Sequence, residues 1–254
     1  MGQTAATLSD EYAEVPPSPG EYTKEALSSL DKRVSRGVAK VLASAGRSIE
    51  QDVAMQIALQ ACMSLRLNLA IQRWSFGSLA DDGALKDVSK TISENEPEQV
   101  ARKWRSLTHQ YARWTRQDRS KAQKTIVNHI KEHLADVLVA AGHASDHMMS
   151  LAAVHARVGA HVSNVVRLAF ELNEVLGQGL GAYDMSPAHF SYGTTFDPET
   201  MQDGYPTTMP EDIDGRRGKV LCTTDLGLVR VMKGREDVLV KPKVALDALI
   251  SPGY

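Results

Sequence analysis

IEQDVAMQIALQACMSLRLNLAIQR, residues 49–73, is apolar on nearly every side of a helical wheel, through Val53, Met55, Ile57, Leu59, Cys62, Met63, Leu65, Leu67, Leu69 and Ile71. Only Gln56, Gln60, Ser64, Asn68 and Gln72 make a polar line, one residue in every four. Four residues are just over one helical turn, so that line is a thin stripe on an otherwise greasy rod. A helix with so little polar surface predicts the central member of a bundle. Ser48 and Gln51 stand in capping-box spacing at its start.

Outward from this helix, the apolar periodicity predicts further helices on both sides. Leu27, Leu30, Val34, Val38 and Val41 share one face of a helix over 22–45, which Gly46 is placed to end. A short helix is expected over 84–92. Asn95 with Glu98 repeats the capping spacing, with Pro97 in the first turn of the helix that follows. Ser120 with Gln123 could open another, whose face is Ile126, Ile130, Leu134, Val137 and Leu138, up to Gly142. A long helix over 145–176 sets Leu151, Val154, Val158, Val162, Val165, Leu168, Leu172 and Val175 in register.

Past Gly177 the pattern changes. Residues 179–218 are aperiodic, hold Pro187, Pro198, Pro206 and Pro210, and carry five of the chain's 14 aromatics. A segment of this length with so many rings is expected to pack on the core or on a neighbour. The runs 219–224, 228–233 and 237–241 read as short strands, with Lys233–Glu236 as a hairpin turn. The expected fold is therefore mainly α. It is a bundle of five to six helices over 22–178, with a flexible acidic arm over 1–21, an irregular aromatic-rich arm over 179–218 and a small basic β-hairpin element and tail over 219–254.

Composition bounds the function. Net charge is −2 in 254 residues, with pI about 6.5. These values argue against a generally sticky nucleic-acid binder. Charge is nonetheless segregated: from Arg102 to His133 nine Lys and Arg stand against only Asp118 and Glu132. Cys62 and Cys222 lie in apolar contexts and form no CxxC pair, so no structural zinc site and a reducing, cytoplasmic compartment are expected. The N-terminal residues have neither the basic nor the apolar region of a signal peptide, and Ala6 stands where myristoylation needs Ser or Thr. No continuous apolar run reaches the roughly 18 residues of a membrane span.

The asymmetric feature is the helix beginning near Glu98. Its apolar residues Val100, Trp104, Leu107, Tyr111 and Trp114 form one stripe, and Arg102, Arg105, His109, Arg113 and Arg116 repeat on the opposite face. Between Gln99 and Gln117 there is no carboxylate. A single-sign row about 21 Å long matches the regular anions of a nucleic-acid backbone, and the arginine fork binds one phosphate with two hydrogen bonds. Arg119, Lys121 and Lys124 extend the row, and Arg216 and Arg217 add a second basic run. The expected function is non-catalytic binding of single-stranded nucleic acid, RNA above all, by a self-assembling coat or nucleoprotein without a cofactor. The alternative is a helical protein–protein interaction or regulatory module whose basic face docks an acidic partner, or the chain's own acidic segments over 10–21 or 196–214. A metal-dependent hydrolase using His129 and His133, at i and i+4, is the third reading. His143 and His147 repeat that spacing, and surface or helix-end placement is expected for these histidines. His155 and His161 are expected as hydrogen-bonded packing residues. No HExxH or GxSxG pattern is present.

Overall fold

The computed structural model describes residues 2, 5–8, 23–76, 79–111, 116–144, 147–178, 184–206, 218–232 and 235–250. The fold is mainly α. Its helices are α1 (Thr23–Arg33), α2 (Arg36–Ala43), α3 (Gln51–Ile71), α4 (Leu79–Asn95), α5 (Glu98–Tyr111), α6 (Arg116–Ala140) and α7 (His147–Gln178). Residues 5–8 are also helical, and Ala5 and Leu8 are fully buried in the main core, so this part of the expected arm is core.

Helix α3 is the hub, packed against α2, α6, α7 and the C-terminal β element. It is long and apolar enough to cross a membrane, and most of it lies buried inside the protein. Its polar line is not a solvent face. Ser64 Oγ donates to the Thr223 carbonyl, and Gln60 Oε1 accepts from the Tyr205 hydroxyl at 2.6 Å. The line is the seam on which the C-terminal segment sits. The expected cap differs: Glu50 is the N-cap, and Gln51 instead donates to the Ala141 carbonyl at 2.7 Å, tying α3 to the end of α6.

The helix expected over 22–45 is two helices. Ser35 is extended and its hydroxyl accepts from the Gly37 amide at 3.1 Å, which caps α2 in a new direction. That direction lays Gly37 on the backbone of Leu221, where an added Cβ would stand 1.7 Å from the carbonyl oxygen. Asn95 caps nothing: it closes α4, its side chain donating to the Thr91 carbonyl. Ser120 lies inside α6 rather than at its start.

The β element holds β1 (Asp184–Ala188), β2 (Gln202–Asp203), β3 (Val220–Asp225), β4 (Gly227–Met232), β5 (Arg235–Val240) and β6 (Lys243–Leu246). They form two three-stranded sheets, β1-β4-β5 and β2-β6-β3. The three expected strands correspond to β3, β4 and β5. The others were not foreseen, because β1 contains Pro187 and β2 is too short to show a period. Two aromatics of the irregular segment, Phe190 and Phe196, pack on a second small core of Met201, Val220, Val244 and Leu246.

Candidate interaction surface

Helix α5 forms where expected, but it faces the other way. Val100 is 47% exposed, Leu107 39% and Tyr111 52%, whereas His109 is 6% exposed and Arg102 and Arg105 are half-buried. The cationic face is turned into the protein, and the apolar stripe is turned out. Only Trp104 among the stripe's described residues packs inward, its ring 5.5 Å from that of Trp74.

The cause lies in what the body presents to α5. Trp74 follows α3, held by its amide, which donates to Asp82 Oδ1 at 2.7 Å. Burial raises the Asp82 pKa, but the hydrogen bonds from Lys86, Trp74 and Ser75 outweigh it and hold the carboxyl below its ordinary value. The Trp74 ring receives the Arg105 guanidinium at 5.6 Å and the His109 ring at 4.4 Å. Arg105 is clasped by Asp184 at 2.8 Å, with both side chains largely covered. His109 fits against Gly177 at the C-terminal end of α7, where a Cβ would stand 2.4 Å from its Nδ1. The cation–π contact adds about 0.5–1 kcal/mol, and the screened ion pair a similar amount. Burying the exposed halves of three apolar side chains instead would be worth about 1 kcal/mol each. The terms are of equal size, so the surroundings decide the orientation.

The predicted basic residues do not make one row. Arg105 pairs with Asp184 and Arg119 with Glu174, each at 2.8 Å. Arg102 donates to the carbonyl of Glu98 in its own helix. His109 is buried. Lys121 and Lys124 are exposed on α6, and no described carboxylate pairs with either. Arg113, Arg216, Arg217 and the side chain of Arg116 lie outside the described residues. The neutralising acids, Glu174 and Asp184, belong to neither expected acidic segment. Glu174 lies near the end of α7 and Asp184 opens β1, each far in sequence from the arginine it holds.

A cleft of about 250 Å³ remains between α5, the ends of α3 and α7, and β1, with Lys86, Arg105, His109, Asn173 and Ser186 in its wall. Lys86 is bonded to Asp82 at 2.8 Å. Both wall cations thus already hold a carboxylate, and an anion entering here would compete with them.

A second exposed apolar stripe lies on α7. Leu168, Leu172 and Val175 were expected in the core and are exposed, while Val166, Ala169, Phe170 and Leu176 are buried. A nearly 3.5-residue pattern drifts round a 3.6-residue helix by about 20° per heptad, and over 32 residues the buried seam moves to the next positions.

The histidine pair does not converge on a metal. His129 is exposed, but His133 is buried, and both its ring nitrogens face the Arg66 guanidinium, at 3.3 and 3.0 Å. Burial, then the charges of Arg66, His129 and Arg33, press its pKa down to about 3, so it is neutral. Among the described residues no three His, Cys, Asp or Glu side chains gather as a metal site. His147 bonds Asp136 at 2.9 Å; His155 and His161 are exposed rather than packed, although His155 is hydrogen-bonded as expected, its Nδ1 meeting Lys131 Nζ at 3.0 Å. Cys62 and Cys222 are buried, and burial raises both thiols, Cys222 to about 12.

Comparison with protein families, with curated proteins and with solved structures found no match to this chain.

Proposed function

We propose that the protein is a helical interaction module that assembles with copies of itself, rather than an enzyme. The observation that carries this reading is the inversion of α5, whose apolar stripe faces outward. An apolar stripe is also exposed on α7, and the two suit one another. Val100, Leu107 and Tyr111 are flanked by exposed Lys103, and Leu168, Leu172 and Val175 by exposed Glu171. Docking α5 of one copy on α7 of the next brings apolar to apolar and Lys103 towards Glu171. The two patches differ, so the contact is head-to-tail and repeats into a ring or a filament. Such repetition is the organisation of a coat.

The test is the mass of the full chain in solution across a hundredfold range of concentration. Concentration-dependent growth, abolished by Leu107→Glu and equally by Leu172→Glu, supports the reading. A monomer at every concentration, or growth that both variants leave unchanged, overturns it.

A second reading, nucleic-acid binding, is favoured by Lys121 and Lys124, which stand exposed on α6 with Asn128 on the same ridge. It predicts RNA retention at low salt that falls steeply with added salt and is lost in Lys121→Glu with Lys124→Glu. The α5 contact, being apolar, predicts little salt dependence, which separates the two readings.

A further inference from the structure

We infer that the groove between α6 and the first turns of α7 is a binding site for a small amphipathic monocarboxylate, its acid group held by Lys131. Lys131 is 9% exposed, and its Nζ lies 3.0 Å from His155 Nδ1. An ammonium only donates, so the imidazole accepts this bond, a neutral partner for a charged group. No described carboxylate is within ion-pair distance of the amine. Burying an ammonium without a counter-ion is costly, and an anion entering the groove would remove that cost.

The site is built by a second residue. Gly159 lies in the interior of α7, where glycine is about 1 kcal/mol worse than alanine. A Cβ there would stand 3.0 Å from His155 Nδ1 and 3.3 Å from Lys131 Nζ. The missing side chain is the space in which the amine and the imidazole meet. Around them the groove is about 450 Å³, with Met148, Leu151 and Ala152 as an apolar wall and Asn128 and Glu132 also in its lining. That volume lies within the roughly 300–1,000 Å³ of small-molecule sites. The apolar wall asks for a hydrocarbon or aryl tail. A single cation with Glu132 on the same rim suits one negative charge and disfavours a phosphate dianion. This site is independent of assembly through α5.

Titration of the full chain with dodecanoate, followed by calorimetry below its micelle concentration, tests the assignment, with dodecanol as the uncharged probe. Saturable one-site binding, at least tenfold weaker for dodecanol and for Lys131→Met, supports it. Ala152→Trp, at an exposed position of α7, should fill the groove and abolish binding. Absence of dodecanoate binding, equal binding of dodecanol, or full binding by Ala152→Trp overturns it. Should Lys131→Met fail to fold by circular dichroism, the dodecanol and Ala152→Trp measurements decide.

Discussion

Arg105 sits on the Trp74 ring with its guanidinium turned to Asp184, so truncating either partner leaves the other half-covered and alone. Arg105→Met is expected to lower unfolding free energy by about 1–3 kcal/mol in urea melts. Asp184→Asn should cost a similar amount, and Arg105→Met with Asp184→Leu less than the sum of the two. His133 gives a pH dependence with a definite sign. Its folded pKa, about 3, lies below the ordinary 6.5, so the unfolded chain binds the extra proton. Stability is therefore intact above about pH 6.5 and falls as pH drops towards 3, by about 1.4 kcal/mol per unit for this one group. Burial lowers His143 and His189 in the same direction and steepens the fall. Asp82 adds its loss only below its own ordinary value of 3.8. His133→Gln should flatten the curve between pH 4 and 6.5, read as melting temperature against pH. None of these partners was legible in the sequence. The i, i+4 spacing of His129 and His133 was visible, but not that His133 would be covered beside Arg66 of α3, with two helices between them in the chain.

At the scale of elements, the sequence told more about where helices run than about which way they face. The faces of α3 and α6 were readable because their apolar residues are bulky and continuous. Helix α5 was not, because aromatic and cationic faces both had partners worth about a kilocalorie per contact, and Trp74 and Asp184 lie outside its own pattern. The break between α1 and α2 was hidden for a related reason. Gly37 reads as an ordinary interior residue of a helix until β3 is laid against it. Gly37→Ala is expected to be severe, costing more than about 4 kcal/mol or preventing folding, since the obstacle is backbone and cannot swing aside. The yield of soluble variant and its thermal melt check this. An alanine at Gly83, where no atom lies within 4 Å of the added Cβ, should be neutral or slightly stabilising by the same measurements.

Across the whole molecule, mainly helical architecture with a C-terminal β element followed directly from periodicity. The exposed apolar face of α5 did not, because it depends on which of two competing faces the body covers. The body also decides how the polar line of α3 is used. Ser64 reaches Thr223 as well as the Ala61 carbonyl of its own helix, and Gln60 reaches Tyr205, and both distant partners are synthesised after the helices. Deleting residues 184–250 should therefore leave a chain of near-native helix content that binds hydrophobic dye and lacks a cooperative melt. During synthesis the same dependence makes the segment 184–250, about a quarter of these residues, a latch: the ribosome finishes the bundle's rods before it delivers the piece that locks them. Until that piece emerges, the half-made protein leaves bare the one side of its central rod that the C-terminal strands will cover.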